Sequence, residues 1–395
     1  MSSSIFERER ELFLSTYKRI PIKITQGEGV HLIDNNGNRY LDFFSGLAVN
    51  ALGYAHPKII EAVCSQVTKF GHLSNNYITD VQIEFAELLL KYSGMSKVFL
   101  SNSGTEANEA ALKIIRKKFG PDKKIFSLTK GFHGRTFGSL SLTDKEKYRK
   151  DFEPLMPNVG RITFNDVSDL KGKIDDNTAA IFIEYIQGEG GVNIVSNDFI
   201  SILNDLRKRF NFIVVADEIQ SGIGRTGKPF AYNHFILKPD IITCAKAIGG
   251  GLPLGVVLTS PEFDEIFDIG KHGTTFGGNP VSCAAGIVVL KEIFENGLME
   301  HVKELGDYFV EQLNELKTIF PNDIKEVRGK GFMIGIELFY GGNNIVEEIR
   351  NRNVLINCTS GNVLRILPPL IAGKNEIDFF LYNFHETLKK NNIKK

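Results

Sequence analysis

Residues 212–220 read Phe-Ile-Val-Val-Ala-Asp-Glu-Ile-Gln, and residues 241–251 read Ile-Ile-Thr-Cys-Ala-Lys-Ala-Ile-Gly-Gly-Gly. Each is an apolar run that stops at a charged residue. Short apolar runs without polar alternation are what a strand buried on both faces of a parallel sheet requires. KIFSL (124–128) and AAIFIE (179–184) share that texture, and helical or loop segments separate all four. Strand and helix therefore alternate, which predicts an α/β domain around a mostly parallel sheet.

In such an open sheet ligands sit beyond the carboxyl ends of the strands, so the residues that close each run carry the chemical reading. Asp217 closes the first. A carboxylate there needs a cation or a hydrogen-bond donor, because isolated burial costs several kcal/mol or neutralises it. A helix cap or a metal ligand would also account for it. Lys246 closes the next run, beside Gly249, Gly250 and Gly251. Most lysines are surface charges, but one at the end of a buried strand is a candidate for forming a Schiff base.

Outward from these runs, SNSGTEANEA (101–110) follows the strand KVFLS. Ser103 and Glu106 have the spacing of a capping box, and Lys113, Arg116, Lys117 and Lys118 complement the dipole at the other end, which describes a well-capped helix. The same segment also puts the free N–H groups of Gly104 and Thr105 at a helix N-terminus beyond a strand, a ready phosphate site. Both readings stand on the segment itself. In FHGRT (132–136), Phe132 offers a flat apolar cover for an aromatic ligand and Arg135 a clamp for a carboxylate, or else a solvated surface charge. HGTTFGGNP (272–280) places Thr274 and Thr275 in a glycine-rich loop able to bind anionic oxygens.

Residues 222–227, Gly-Ile-Gly-Arg-Thr-Gly, satisfy G-x-G-x-x-G, and with Lys228 the first seven places of a P-loop. Asp217 to Ser221 separate the loop from its strand, no helical stripe follows, and Pro229 stands where a magnesium-binding hydroxyl is needed. Nucleotide binding is not expected there.

The 395 residues are 42% hydrophobic and 24% charged, enough for a sizeable core in one large domain with a smaller one. Lys plus Arg (47) equals Asp plus Glu (47), so no basic excess favours nucleic acid. Cys64, Cys244, Cys283 and Cys358 are too dispersed for a zinc site or a disulfide framework and fit a reducing cytosol. No metal is expected. No apolar stretch has the length to span a membrane, and the first residues lack a secretory core, so a cytoplasmic location is expected.

Near the start, VHLID, the turn NNGN and RYLDF read as a hairpin signalled by Asn36-Gly37. After about residue 300 the texture changes. A helix carries Val302, Leu305, Phe309, Leu313 and Leu316 on one face, and GFMIGIEL, VLIN and LRIL read as short strands before a closing Phe-rich helix.

Taken in order, SNSGTEANEA, GFHGRT, IQGEGG, DEIQSGIGRTG, AKAIGGGLPLG, HGTTFGGNP and LRILPPL resemble the fold-type I pyridoxal phosphate enzymes, more narrowly the class III aminotransferases of the acetylornithine aminotransferase group. The resemblance runs nearly end to end. It implies a large cofactor domain over residues 51–300, a small α+β domain over 301–395, and an N-terminal segment, 1–50, packing with the small one. It implies that Lys246 holds pyridoxal 5'-phosphate as an imine, that Asp217 bonds the pyridine nitrogen, and that Gln220 approaches the phenolic oxygen. Phe132 would stack on the ring, and Gly104, Thr105 and the neighbouring subunit's Thr275 would bind the phosphate. Arg135 and Thr274 would contact the amino donor, Tyr17 would flank its entrance, and Glu189 would pair with Arg365 as a gate for glutamate. The implied activity moves the δ-amino group of N2-acetyl-L-ornithine to 2-oxoglutarate, yielding L-glutamate, in a homodimer. Succinylornithine, N-succinyldiaminopimelate, ornithine and 4-aminobutyrate are alternative donors within the class. Tyr185, where the family usually has proline, and Tyr54, where histidine is common, depart from the pattern.

Overall fold

Seven strands lie side by side in the order Lys97–Ser101, Gly255–Thr259, Ile241–Cys244, Ile213–Asp217, Thr178–Ile183, Lys124–Leu128 and Val159–Ile162. The computed structural model describes residues 5–393; residues 1–4 and 394–395, the outer ends of the expected N- and C-terminal divisions, lie outside them. Neighbouring strands are parallel except around Gly255–Thr259, which runs antiparallel to both of its partners. The apolar runs thus mark a mostly parallel α/β sheet.

Their lack of alternation has a direct cause. Thr178–Ile183 and Ile213–Asp217 are buried at every position. Ile213 and Val215 pack into one apolar cluster with Ala107 and Ile114 of the helix Gly104–Phe119, whereas Val214 and Ala216 face a second cluster on the opposite side. Each face of the sheet therefore has its own core, and neither face can be polar.

The hairpin at Asn36-Gly37 forms as expected, joining His31–Asp34 to Arg39–Asp42, with Gly37 at a φ of 84° that suits glycine. Its sheet is completed by Val354–Leu355, paired parallel to Arg39–Asp42. The expected strand VLIN is therefore split. Val354–Leu355 joins the N-terminal sheet, while Asn357–Thr359 pairs with Val363–Ile366 in a separate antiparallel sheet that also holds Met333–Leu338 and Ile324–Lys330. The helix Leu298–Ile319 buries Val302, Phe309, Leu313 and Leu316, and the closing helix Lys374–Ile393 buries Phe380 and Phe384. No helix among the described residues is long and apolar enough to cross a membrane.

Candidate active site

Beyond the carboxyl ends of the central strands lies a cavity of about 460 Å³. Asp217 and Lys246 enter it from adjacent strands in register, Asp217 lying opposite Thr243. The chain turns sharply after Cys244, and Lys246 adopts a φ of 53°, in the left-handed region. Gly104, Thr105, Phe132, Arg135, Glu189 and Gln220 also line the cavity. Eight of the expected residues, drawn from five separate segments, therefore converge there.

Asp217 is held rather than free. Its Oδ2 accepts from Asn108 Nδ2 at 2.9 Å and lies 2.7 Å from His133 Nδ1, and its Oδ1 accepts from Ile219 N at 3.2 Å. These contacts fix the carboxylate and supply the donors that its burial demands. Lys246 is the opposite case: no hydrogen bond or ion pair ties its Nζ among the described residues. Burial pulls its ammonium down to about 8, with Arg365 adding to the effect and Glu189, Asp217 and Glu184 opposing it. A buried, unpartnered amine with a depressed pKa is poised to act as a nucleophile.

The helix Gly104–Phe119 begins at the cavity wall. Ser103 Oγ accepts from Glu106 N at 3.3 Å, but the return bond of the expected capping box goes elsewhere: Glu106 Oε2 accepts from Asn102 N at 2.8 Å. Gly104 N and Thr105 N donate to no atom of the described residues. Two open donors at a helix N-terminus are what an anion requires there. Gly134 keeps this corner tight. Its φ is 138°, and a Cβ on it would lie 2.3 Å from Thr105 Oγ1 and from Ser139 Oγ. An amine, a buried carboxylate opposite, an aromatic wall and an open anion cradle form a donor set that fits pyridoxal phosphate.

Glu189 sits in the turn of the two-stranded hairpin Ile186–Gln187 and Asn193–Ile194. Its Oε1 accepts from Arg365 Nη1 at 2.6 Å, and the same Nη1 donates to Gln220 Oε1 at 3.1 Å. Burial works to raise the Glu189 carboxyl, but the charge and hydrogen bond of Arg365 hold it below the usual range. Arg365 itself is buried behind the cavity wall and reaches the site through these two partners. Arg135 is exposed, its guanidinium 3.6 Å from the centre of the Tyr148 ring. Tyr17 does not line the main cavity. It borders a neighbouring one of about 350 Å³ that shares Arg135.

Thr274 and Thr275 also lie off the wall. Thr274 Oγ1 accepts from Asn102 Nδ2 at 3.2 Å, and Thr275 is exposed. Neither departure from the family pattern reaches the cavity. Tyr185 is buried with its hydroxyl donating to Leu237 O at 2.9 Å, and Tyr54 bonds Asp42.

Four participants escaped the sequence reading as site residues, among them His133, which lines the cavity and meets Asp217. Glu184 ends the strand Thr178–Ile183 as Asp217 ends its own, so the strand-end rule applies to it equally. It lines the cavity, accepts from Phe132 N at 2.9 Å, and is pushed up to about 7 by burial, with Asp217 adding to the shift. Asn108 is a polar residue among the buried positions of an apolar helix face. Tyr148 has no local signal.

Residues 13–388 match the family Aminotransferase class-III. The acetylornithine aminotransferase of Aquifex aeolicus is 47% identical over 370 residues, 92% of this chain and 96% of that protein. That of Methanocaldococcus jannaschii is 43% identical over 392 residues, 98% of each. Among solved structures, ornithine aminotransferase from Toxoplasma gondii superposes with a TM-score of 0.94 at 30% identity, covering 99% of this chain and 95% of that one. A second structure of that enzyme, with PLP partly occupying its active site, gives a TM-score of 0.93 at 31% identity over the same shares.

Proposed function

Because the chain belongs to the aminotransferase class-III family, we propose that it moves the δ-amino group of N2-acetyl-L-ornithine to 2-oxoglutarate. The products are N-acetyl-L-glutamate 5-semialdehyde and L-glutamate, in the arginine biosynthetic sequence. The enzyme is an aminotransferase, and its cofactor is pyridoxal phosphate. The acetylornithine assignment is carried by relatives of that name, 42–47% identical over nearly the whole chain.

When bound, pyridoxal phosphate supplies a protonated aromatic ring that accepts electrons and carries the amino group between two half reactions. Lys246 binds it covalently, and the free Nζ later takes a proton from the donor carbon that bears the amine. Its depressed pKa keeps a fraction of that amine neutral near pH 7. Asp217, fixed by Asn108 and His133, holds the ring nitrogen protonated. Gln220 approaches the phenolic oxygen, Phe132 covers the ring face, and Gly104 and Thr105 present the open donors for the phosphate.

Arg135 binds the α-carboxylate of acetylornithine, with Tyr17 at the mouth. Arg365 takes the α-carboxylate of glutamate once Glu189 releases it. Thr275 is exposed, next to a half-buried Thr274 that is bonded to Asn102, which supports a homodimer in which Thr275 completes the partner's phosphate site, while Thr274 contacts the amino donor. The parallel pairing of Val354–Leu355 with Arg39–Asp42 supports an N-terminal segment, 1–50, that packs with a small domain, 301–395, around a large domain, 51–300. No nucleic acid takes part, and the cytoplasm is the site of action.

A panel of amino donors with 2-oxoglutarate, read as glutamate formed, tests the assignment. N2-acetylornithine should give the highest kcat/KM. A preference for ornithine, succinylornithine, N-succinyldiaminopimelate or 4-aminobutyrate would replace the donor and leave the class intact.

A further inference from the structure

Arg225 lies in the loop that imitates a phosphate-binding motif, yet it points inward and is 1% exposed. Burial alone pulls its guanidinium down to about 9, with no carboxylate opposing the shift. Its Nη1 donates to Phe332 O at 3.3 Å and to Pro368 O, while Nε and Nη2 have no partner among the described residues. Its carbonyl accepts from Phe332 N at 2.9 Å. A buried cation without an anion is unfavourable, and an apolar side chain of similar volume would serve stability at least as well. Its presence therefore needs a reason other than stability.

The two carbonyls that it holds supply one. Pro368 follows Arg365 by three residues, in the segment that leaves the strand Val363–Ile366. That segment is also held by Leu367 N donating to Phe43 O at 2.7 Å and Ser45 Oγ donating to Leu367 O at 2.7 Å. On the other side, Arg225 shares a loop with Gln220, whose Oε1 accepts from Arg365 Nη1 at 3.1 Å. The loop is stiffened by Gly222 N to Glu218 O at 2.9 Å and Gly224 N to Pro229 O at 3.2 Å. It is packed so closely on the hairpin at Gly331 that a Cβ there would lie 2.6 Å from the Thr226 carbonyl carbon. One loop thus grips the Arg365 segment twice: at the guanidinium through Gln220, and at the main chain through Arg225.

We propose that Arg225 is a positioning residue for Arg365: it sets the reach of Arg365 toward Gln220 and Glu189, and through that the site's affinity for the α-carboxylate of glutamate and 2-oxoglutarate. The inference rests on the role given to Arg365 above. It also gives the Gly222–Gly227 loop a purpose that involves no nucleotide.

Arg225→Met in the holoenzyme removes the charge and the donors while keeping an unbranched apolar stem. The KM for glutamate should rise about tenfold or more, while KM and limiting rate with acetylornithine stay within about twofold. In an Arg365→Ala background, Arg225→Met should add no further loss with glutamate, because the two act as one unit. Arg225→Gln keeps one donor toward the two carbonyls and should fall between wild type and Met; it carries the test if the Met variant does not fold. Equal losses with both donors, unchanged glutamate kinetics, or a further loss in the Arg365→Ala background would each overturn the proposal. Undiminished glutamate kinetics in Arg365→Ala alone would overturn the role of Arg365 itself, so that single variant tells the two failures apart.

Discussion

Arg365 Nη1 lies 2.6 Å from Glu189 Oε1, with the arginine buried and the glutamate at the edge of the cavity that holds Lys246. In the proposed account the pair masks a cation that would otherwise bind any α-carboxylate. Removing one partner of such a buried pair typically costs about 3 to 5 kcal/mol, so the two single substitutions should act in opposite directions on the two donors. Arg365→Ala should cripple the glutamate half reaction and spare the acetylornithine one, whose carboxylate meets Arg135. Glu189→Ala should favour glutamate and erode the preference for acetylornithine. Single-turnover conversion of the pyridoxal form to the pyridoxamine form, with each donor separately, measures both. Equal losses toward both donors in both variants would leave the pair a purely structural role.

The buried Lys246 amine gives the cofactor-free protein a pH dependence of known sign. Its folded pKa, about 8, lies below the ordinary value of 10.5. Below pH 8 both states are protonated, and the folded state bears the full cost of burying the charge. Between about pH 8 and 10.5 the unfolded chain still holds a proton that the folded chain has released, so stability rises with pH. From pH 7 to 9.5, denaturant unfolding should show wild type gaining about 2 kcal/mol relative to Lys246→Met. A difference that is flat or falls over that range would contradict the burial argument.

Asp217→Asn keeps the shape of the carboxylate and removes its charge. A rate loss of roughly a hundredfold or more is expected, about 3 kcal/mol of transition-state stabilisation. Asn108→Ala, which removes one of the donors that hold Asp217, should cost less, about tenfold. Steady-state kcat with saturating donor decides both, and near-normal turnover in Asp217→Asn would remove the role assigned to its charge.

The strands and the two central residues were legible because burial on both faces leaves a signature in the chain itself: Val214 and Val215 face different cores, so neither position tolerates a polar residue. The charge that ends such a run then marks the crevice. Less was legible where geometry comes from pairing. Nothing local in GVVLT distinguishes an antiparallel strand from a parallel one, because both are buried throughout. Val354 pairs with Leu41 across most of the chain, a contact with no periodicity to betray it. The same holds in the site. Tyr148 meets Arg135 only because the short helix Phe137–Leu142 turns the chain back, and Asn108 differs from its buried helical neighbours only in being polar.

The Gly222–Lys228 segment should bind no nucleotide. All three of its glycine amides are spent internally, Gly222 N on Glu218 O, Gly224 N on Pro229 O and Gly227 N on Gly224 O at 3.0 Å, and Arg225 is turned into the core. Equilibrium dialysis with ATP and with NAD should show no saturable binding below millimolar concentration. A micromolar, magnesium-dependent ATP signal that disappears in Gly227→Val would restore the phosphate-loop reading.

The central claim is that Lys246 carries the cofactor. Borohydride reduction of the purified holoenzyme, followed by proteolysis and mass mapping, tests it directly. The reduced cofactor should be found on the peptide that contains Lys246, and the Lys246→Met variant should carry no label while still binding some cofactor through Gly104 and Thr105. Label on the peptide of Lys228 or Lys271, or none on wild type, would contradict the account.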